Sequence, residues 1–281
     1  MPPCLRVFIP HGACCVKRIA WLSDLHLNFL HYDDIEKFLL RVAAARPDAV
    51  LVGGDIAEST DLYQYLYQMA RVLPVPIYFV LGNHDFYFSS IEKVRDSIRG
   101  MTREDPNLVW LGDAKTIELA PQVGLVGHDG WADARAGDYA RSMVMMYDYQ
   151  LIEELATLSK EARWLRLKQL GDEAADHIRQ VLPAALDHYR QVFVLTHVPP
   201  WREACWYQGQ ISNDEWLPHF TCVAMGQAIE AVASEYLDRQ ITVLCGHTHS
   251  PGIAHPLPNV TVLTAGAEYG APAIQQVFEL E

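Results

Sequence analysis

The sequence predicts an α/β domain, and three observations support this fold class. Five apolar runs are each short enough for a strand, and they lack the alternation that a half-exposed strand shows. Apolar residues with helical spacing lie between the first three runs. No internal repeat or low-complexity linker divides the 281 residues. The runs are RIAWLS at 18–23, DAVLVGG at 48–54, PIYFVLG at 76–82, QVFVLTH at 191–197 and ITVLCGH at 241–247.

Two amphipathic helices are predicted between the first three strands, and a proline follows each of them (Pro47 and Pro74). The order strand, helix, strand, helix, strand indicates a layered α/β core with right-handed crossovers. The apolar positions are Ile35, Phe38, Leu39 and Val42 in the first helix and Leu62, Tyr65, Leu66 and Met69 in the second.

The rest of the chain predicts a second sheet, or an extension of the first, and a helical insertion. Residues 138–190 are rich in helix-forming residues, with breaks expected near Gly171 and Pro183. We therefore predict an N-terminal extension at 1–17 and one domain at 18–281, with a helical insertion or lid at about 135–190. Further short strands are predicted at 107–112, 116–120, 123–128, 259–266 and 273–280.

The composition excludes some classes of protein and argues against others. Hydrophobic residues make up 50% and charged residues 20%, as in a globular protein and unlike a disordered one. Lys and Arg number 22 against 35 Asp and Glu, a formal charge of -13. Such a surface repels a phosphate backbone, which argues against long nucleic acid as a partner.

The cysteines and the apolar segments predict a cytoplasmic protein without a membrane partner. The six cysteines include no CxxC pair, and a reduced compartment fits this usage best. No apolar stretch approaches the roughly 20 residues that span a bilayer. The first residues, MPPCLRVFIPHGACCVKR, lack the basic start and continuous apolar run of a signal peptide.

Side chains that bind metals follow all five of the strongest strands. A helix cap or a turn would explain Asp24, Asp55 or Asn83 taken alone, and a solvated loop would explain a single His-x-His. In open α/β sheets, however, sites form beyond the carboxyl ends of the strands, where these residues meet. Five such ends together favour a metal site. The residues are Asp24, His26, Asp55, Asn83, His84, Asp85, His197, His247 and His249.

These motifs, in this order, resemble those of the calcineurin-like metallophosphoesterases. The resemblance implies a four-layer α/β/β/α sandwich with two metal ions at the strand ends. It also implies that Asp55 bridges the two ions. The matching pieces are Asp24-x-His26, Gly54-Asp55, Gly82-Asn83-His84-Asp85, His197 and Gly246-His247-x-His249. The implied ligands are Asp24, His26, Asp55 and His249 for one ion, and Asp55, Asn83, His197 and His247 for the other.

Carboxylate, amide and imidazole ligands together suit Mn, Fe or Zn better than Ca or Mg. Two such ions about 3.5–4 Å apart clamp the attacking and leaving oxygens of a displacement at phosphorus, and the bridging hydroxide they generate is the expected nucleophile. By the resemblance, His84 acts on the leaving group, and Asn83 and His84 contact the substrate. We expect Asp85 to accept a hydrogen bond from the His84 ring. The alternative is that His84 is a further ligand or a structural residue.

The predicted function is hydrolysis of a small phosphodiester or phosphomonoester. Protein phosphatases of this family carry Asp-Arg-Gly soon after Gly-Asp, whereas this chain has GGDIAEST and so lacks that phosphate-binding arginine. Alternatives are a scaffold that keeps only the fold, a protein phosphatase, or a nuclease. Trp206 and Tyr207 could stack a base, although a loop packed by its own aromatics explains them too. The substrate and the oligomeric state are left open.

Overall fold

The computed structural model describes residues 17–281. The predicted N-terminal extension lies outside the described residues except for its last residue, Lys17, which begins the first strand.

Thirteen strands and eight α-helices form the described part of the chain. The strands are β1 (Lys17–Leu22), β2 (Ala49–Gly53), β3 (Ile77–Val80), β4 (Leu108–Trp110), β5 (Ile117–Ala120), β6 (Val123–Gly127), β7 (Gln191–Leu195), β8 (Trp206–Tyr207), β9 (Gln210–Ile211), β10 (Gln240–Cys245), β11 (Gly252–Leu257), β12 (Val260–Thr264) and β13 (Ile274–Leu280). The helices are α1 (Tyr32–Ala44), α2 (Leu62–Val72), α3 (Ile91–Glu104), α4 (Asp148–Leu151), α5 (Glu153–Ala156), α6 (Lys160–His188), α7 (Leu217–Phe220) and α8 (Val223–Ala233). Short 3-10 helices lie at Leu27–Phe29, His84–Phe86 and Arg202–Ala204.

Two large sheets carry the predicted strands. The first has the order β13-β1-β2-β3-β4, and the second has the order β11-β12-β10-β7-β6-β5. In the first sheet, the neighbouring strands β1, β2, β3 and β4 run parallel. In the second sheet, β12, β10, β7 and β6 run parallel. The remaining strands pair antiparallel at the edges. The mixed α/β fold class with two large sheets is therefore confirmed.

The five strands predicted first all exist, but the structure divides them between the sheets. β1, β2 and β3 belong to the first sheet, and β7 and β10 are neighbours in the second. The run at 107–112 becomes β4 of the first sheet, while β5 and β6 join the second. Helices α3, α7 and α8 and strands β8, β9 and β11 are additional to the sequence-based prediction. The apolar spacing Ile91, Val94, Ile98, Met101 would have indicated α3.

Helix α6 runs without interruption through Gly171 and Pro183, so the two predicted breaks are wrong. At Gly171 the helix lies so close to Asp133 that an added Cβ would stand 2.5 Å from the Asp133 Cβ. Gly171 is thus required by close packing rather than by a helix end. Pro183 costs the helix one hydrogen bond, and the buried side chains of Leu182 and Leu186 on either side of it offset that loss. Residues 135–147 of the predicted insertion are not helical.

Three groups of buried apolar residues hold the fold together. One joins the first sheet to α1, α2 and α3, and another joins the second sheet to α6 and α8. The third contains Trp21 and Leu51 of the first sheet together with Phe193 and Leu244 of the second. The four-layer order that the family resemblance implied stays a prediction. Within residues 17–281, no helix is both long enough and apolar enough to cross a membrane.

Candidate metal centre

The strand ends bring a first group of four donor residues together. The ligand atoms of Asp24, His26, Asp55 and His249 all lie within 4.8 Å of one another. His26 Nε2 is 3.1 Å from His249 Nε2 and 3.6 Å from Asp55 Oδ2. His249 Nε2 is 3.4 Å from Asp24 Oδ1. These four residues are the set that the family resemblance implied for one ion, and they converge on one point.

A second group adjoins the first through Asp55. Asp55 Oδ1 lies 3.4 Å from His197 Nε2, while Asp55 Oδ2 faces His26 in the first group. Asn83 Oδ1 lies 3.1 Å from His197 Nε2 and 2.9 Å from His247 Nδ1. The two imidazole nitrogens are 3.2 Å apart. One carboxylate therefore presents one oxygen to each group of donors.

The backbone turns sharply where most of these donors stand. Asp24, His26, Asp55, His247 and His249 all have positive φ angles, between 44° and 69°. Few residues other than glycine adopt this left-handed region, which costs energy and is concentrated at functional sites. The sharp turns after β1, β2 and β10 direct these donors inward, and the packing of the sheets offsets the energy that the turns cost.

Glycines beside the donors let the two sheets approach each other. Gly54 has a φ of 86°, and an added Cβ there would stand 2.6 Å from the Gly82 nitrogen and 2.9 Å from His197 Nδ1. At Gly246 an added Cβ would collide with the Asp24 carboxylate. The glycines of the Gly-Asp and Gly-His motifs are thus required by close approach, and a larger residue would push the donor groups apart.

The hydrogen bonds of two histidines leave lone pairs directed into the second group. His197 Nδ1 donates to the Gly53 carbonyl oxygen over 2.9 Å, and His247 Nε2 donates to the His219 carbonyl oxygen over 3.0 Å. In the neutral ring the other nitrogen then carries a lone pair. These tautomers are assigned from their partners. A metal ion fits such a set, because facing lone pairs repel unless they share a cation.

Burial also favours neutral imidazoles at the centre. Desolvation lowers the pKa of His26 and of His247 to about 4, so both rings are uncharged at neutral pH, as metal ligation requires. His197 differs: burial lowers its pKa, but the charges of Asp55 and Asp24 and the hydrogen bond to the Gly53 carbonyl together raise it above its ordinary value. A proton and a metal ion therefore compete for His197 Nε2, and both are attracted by the same carboxylate.

Asn83 is oriented by two residues that the sequence analysis missed. Its amide nitrogen donates to Tyr87 Oη over 3.1 Å and to Asp148 Oδ2 over 3.2 Å, and Tyr87 Oη donates to the same carboxylate oxygen over 3.0 Å. The amide oxygen is thereby turned toward the histidines. Asp148 lies 65 residues from Asn83 in the chain, and nothing in the local sequence connects the two.

The predicted contact between Asp85 and the His84 ring is wrong. Asp85 is fully buried and accepts from the backbone nitrogens of Ile56, Ala57 and Gly82 over 2.8–2.9 Å. Its carboxylate therefore ties the turn after β2 to the turn after β3. This role is explained by the buried amides, which would otherwise be unsatisfied.

The His84 ring is held by packing. It lies edge-on to the His26 ring with centroids 4.6 Å apart, and 4.3 Å from the Tyr87 ring. Its Nδ1 is buried and has no hydrogen-bond partner among residues 17–281. The His84 backbone nitrogen donates to Asp55 Oδ1 over 2.9 Å. His84 thus lies beside the donor groups with its ring outside them.

An open cavity of about 710 Å³ lies above the donors, and Asp55, Asn83, His84, His247 and His249 form part of its lining. Of the two aromatic residues predicted to contact substrate, Tyr207 lines this cavity and Trp206 does not. The Trp206 ring instead packs over Gly252, where an added Cβ would collide with it. Trp206 therefore packs against β11, which is neither the base-stacking position nor the packing within its own loop that the sequence suggested.

The fold and the donors define a class of metal-dependent phosphoester hydrolases. The family model described as calcineurin-like phosphoesterase matches residues 17–251, and this chain belongs to that family. The chain is also 30% identical over 122 residues to a protein of Bacillus subtilis (strain 168) named "Uncharacterized metallophosphoesterase YkuE". That alignment covers 40% of this chain and 42% of the relative, so it spans less than half of either protein.

Solved structures show the same fold. The phosphopantetheinyl hydrolase PptH of Mycobacterium tuberculosis is similar with a TM-score of 0.59 and 16% identity, over 90% of this chain and 91% of that one. A dimetal phosphatase from Danio rerio is similar with a TM-score of 0.55 and 15% identity, over 89% and 88% of the two chains. At such identities the likeness establishes the fold, and the substrate has to be argued from the site.

Proposed function

We propose that this chain is a dinuclear-metal phosphoesterase that hydrolyses a small phosphodiester or phosphomonoester. The observation that carries the proposal is the carboxylate of Asp55, which presents one oxygen to each of two adjacent donor groups. Asp24, His26 and His249 would complete one metal site, and Asn83, His197 and His247 would complete the other. Mn, Fe or Zn would suit these ligands. When bound, the ions supply Lewis acidity that neutralises charge on the phosphate and makes water more acidic.

The other residues around the donors would position the substrate and move a proton. His84 borders both the cavity and the donors, where its ring can donate a proton to the departing oxygen. Asn83 would place its oxygen at the second site because Tyr87 and Asp148 hold its nitrogen. Asp85 would act through the backbone turns that carry Asp55 and Asn83.

The alternatives have less support. A scaffold that keeps only the fold would have no reason to retain seven converging donors, several of them at costly positive φ angles. A nuclease for long DNA needs cations along the path of the strand. The part of the cavity lining that the structure describes contains neither lysine nor arginine. We also propose a cytoplasmic setting, on the cysteine usage alone.

Metal removal and restoration tests the proposal. After chelation, we expect no hydrolysis of bis-p-nitrophenyl phosphate or p-nitrophenyl phosphate, and we expect Mn, Fe or Zn to restore hydrolysis of at least one. Elemental analysis of the restored protein should find two ions for each chain. Protein that takes up no ions, or that takes up two and hydrolyses neither ester nor any aliphatic phosphate ester, would contradict the proposal.

We predict that Asp148→Ala weakens metal binding without removing a ligand. The change loosens the Asn83 amide, because Asp148 accepts from its N–H and also holds Tyr87, the amide's other acceptor. Loss of such an outer partner typically costs about 10–100-fold in metal affinity or activity. Competition with a fluorescent chelator would measure the affinity. Asp187→Ala, which removes an exposed carboxylate bonded to Tyr236, is the control and should leave the affinity unchanged.

A further inference from the structure

The cavity above the donors points to a more specific substrate. We infer that this enzyme acts on phosphate esters whose remaining organic group is uncharged and apolar, and that this group binds between aromatic and methionine side chains at the cavity mouth. The inference rests on the proposed phosphoesterase function and narrows it to one chemical class of substrate.

Aromatic side chains extend outward from both groups of donors. On one side, the Tyr269 ring lies 4.5 Å from the His26 ring and 4.9 Å from the Phe29 ring, centroid to centroid. On the other side, the Phe220 ring meets the His247 ring edge-on at 5.2 Å. Two apolar walls therefore begin directly at the proposed ligands.

The wall that begins at His247 continues to the surface. Trp216 stacks on Phe220 with centroids 5.5 Å apart. Met145 and Tyr147 line the cavity from the segment before α4, and they are 59% and 68% exposed. Large apolar side chains with this much exposure, gathered around one opening, mark a binding surface for apolar groups. Methionine adapts its shape to different apolar ligands, which suits a chain or ring of variable form.

Charge argues against phosphate esters that carry a second anionic group. Apart from the donors and His84, the only charged side chain in the described lining is Glu58. Nucleotide triphosphates, phosphorylated acids and acidic peptides each carry a further anionic group, which would meet Glu58 and would find no lysine or arginine among the described lining residues. Burial of that group without a partner would be unfavourable. An uncharged apolar group has no such cost and gains from leaving water.

The segment that carries Met145 and Tyr147 is anchored at both ends to one histidine. Ser142 Oγ lies 2.9 Å from His219 Nε2, and Tyr149 Oη bonds to His219 Nδ1. The ring is buried, and this lowers its pKa to about 4. His219 is therefore neutral and can donate to Ser142 while accepting from Tyr149. The His219 carbonyl oxygen also accepts a hydrogen bond from His247. His219 therefore supports both the segment that carries Met145 and Tyr147 and one of the proposed metal ligands.

Binding and hydrolysis of matched pairs test the inference. Octylphosphonate and methylphosphonate have a carbon–phosphorus bond that hydrolysis does not cleave, and calorimetry on the metal-loaded protein measures their affinities. Octyl, methyl and 2-carboxyethyl 4-nitrophenyl phosphate share one leaving group, so differences in kcat/KM report on the second substituent. Burying two methylenes suffices for about a tenfold gain. We expect the octyl compounds to exceed the methyl compounds at least about tenfold in affinity and in kcat/KM, and we expect the carboxyethyl ester to have the lowest kcat/KM.

Two neighbouring methionines provide a matched control. Met145 lines the cavity, whereas Met143 is 84% exposed and does not. The double variant Met145→Gln/Tyr147→Gln should lower the octyl-to-methyl ratio by at least about threefold, and Met143→Gln should leave that ratio unchanged. If the double variant does not fold, as judged by circular dichroism, Trp216→Gln replaces it with the same expectation.

The outcomes separate this inference from the proposed function. If the esters are hydrolysed but the kcat/KM values of the octyl and methyl esters differ by less than about twofold, the inference is wrong and the proposed function stands. The same holds if the carboxyethyl ester is preferred. If the protein binds octylphosphonate more tightly than methylphosphonate but hydrolyses no ester, the proposed function is wrong and the apolar site stands. An unchanged ratio in the cavity variants would overturn the assignment of these walls.

Discussion

Asp55→Asn is expected to lower the rate of phosphate-ester hydrolysis by about 10³-fold or more, because a metal ion contributes several kcal/mol of transition-state stabilisation. Asparagine matches aspartate in shape, so the turn after β2 should persist. The variant lacks the negative charge, and one of its two oxygens becomes an amide nitrogen that cannot ligate. Since each Asp55 oxygen faces a different donor group, one substitution weakens both groups.

Metal content and activity of the Asp55 variant should fall together. Elemental analysis after restoration with Mn or Zn should find fewer than two ions for each chain, while circular dichroism should match the parent. Asp133→Asn is the matched control, because Asp133 is equally buried and bonds to Ala224 and Arg135 away from the donors. Two tightly bound ions and full activity in Asp55→Asn would refute a bridging role for this carboxylate.

His84→Ala is expected to keep both ions and to lose rate. The ring packs against His26 and Tyr87 but stands outside the donor groups, so its removal leaves every proposed ligand in place. Loss of a general acid typically costs about 10²–10⁴-fold. The size of the loss should depend on the leaving group, because a basic leaving oxygen needs the proton more than an acidic one does.

The comparison of phenyl phosphate with p-nitrophenyl phosphate measures this dependence. We expect the His84→Ala variant to lose more rate with phenyl phosphate, whose leaving oxygen is the more basic. His188→Ala, at the exposed end of α6, should behave as the parent. An equal loss of rate with both esters would indicate that His84 stabilises negative charge and does not transfer a proton. No loss of rate with either ester would show that His84 takes no part in the mechanism.

The placement of the donors was predictable because it depends on local sequence. Apolar runs form buried strands, and in a parallel sheet the residues that follow them lie at the same edge. Asp24, Asp55 and Asn83 follow neighbouring strands of one sheet, and His197 and His247 follow neighbouring strands of the other. The motifs alone could therefore indicate which residues would meet.

The supporting contacts were not predictable, because they join residues that are distant in the chain. Asp85 was expected to bond to its neighbour His84, but the buried amides of Ile56 and Ala57 compete for the same carboxylate and take it. Asp148 reaches Asn83 across 65 residues, a pairing that no local pattern encodes. Gly171 resembled a helix break, although it allows a close contact with Asp133.

The sequence by itself determined the fold class, the family motifs and the seven proposed ligands, since periodicity and motif spacing are properties of short segments. The tertiary structure alone decided which atoms of those ligands face each other, what orients Asn83 and His84, and which side chains surround the cavity. Hydrogen-bond direction and burial depend on residues brought together from many parts of the chain, and these become known only once the two sheets are packed.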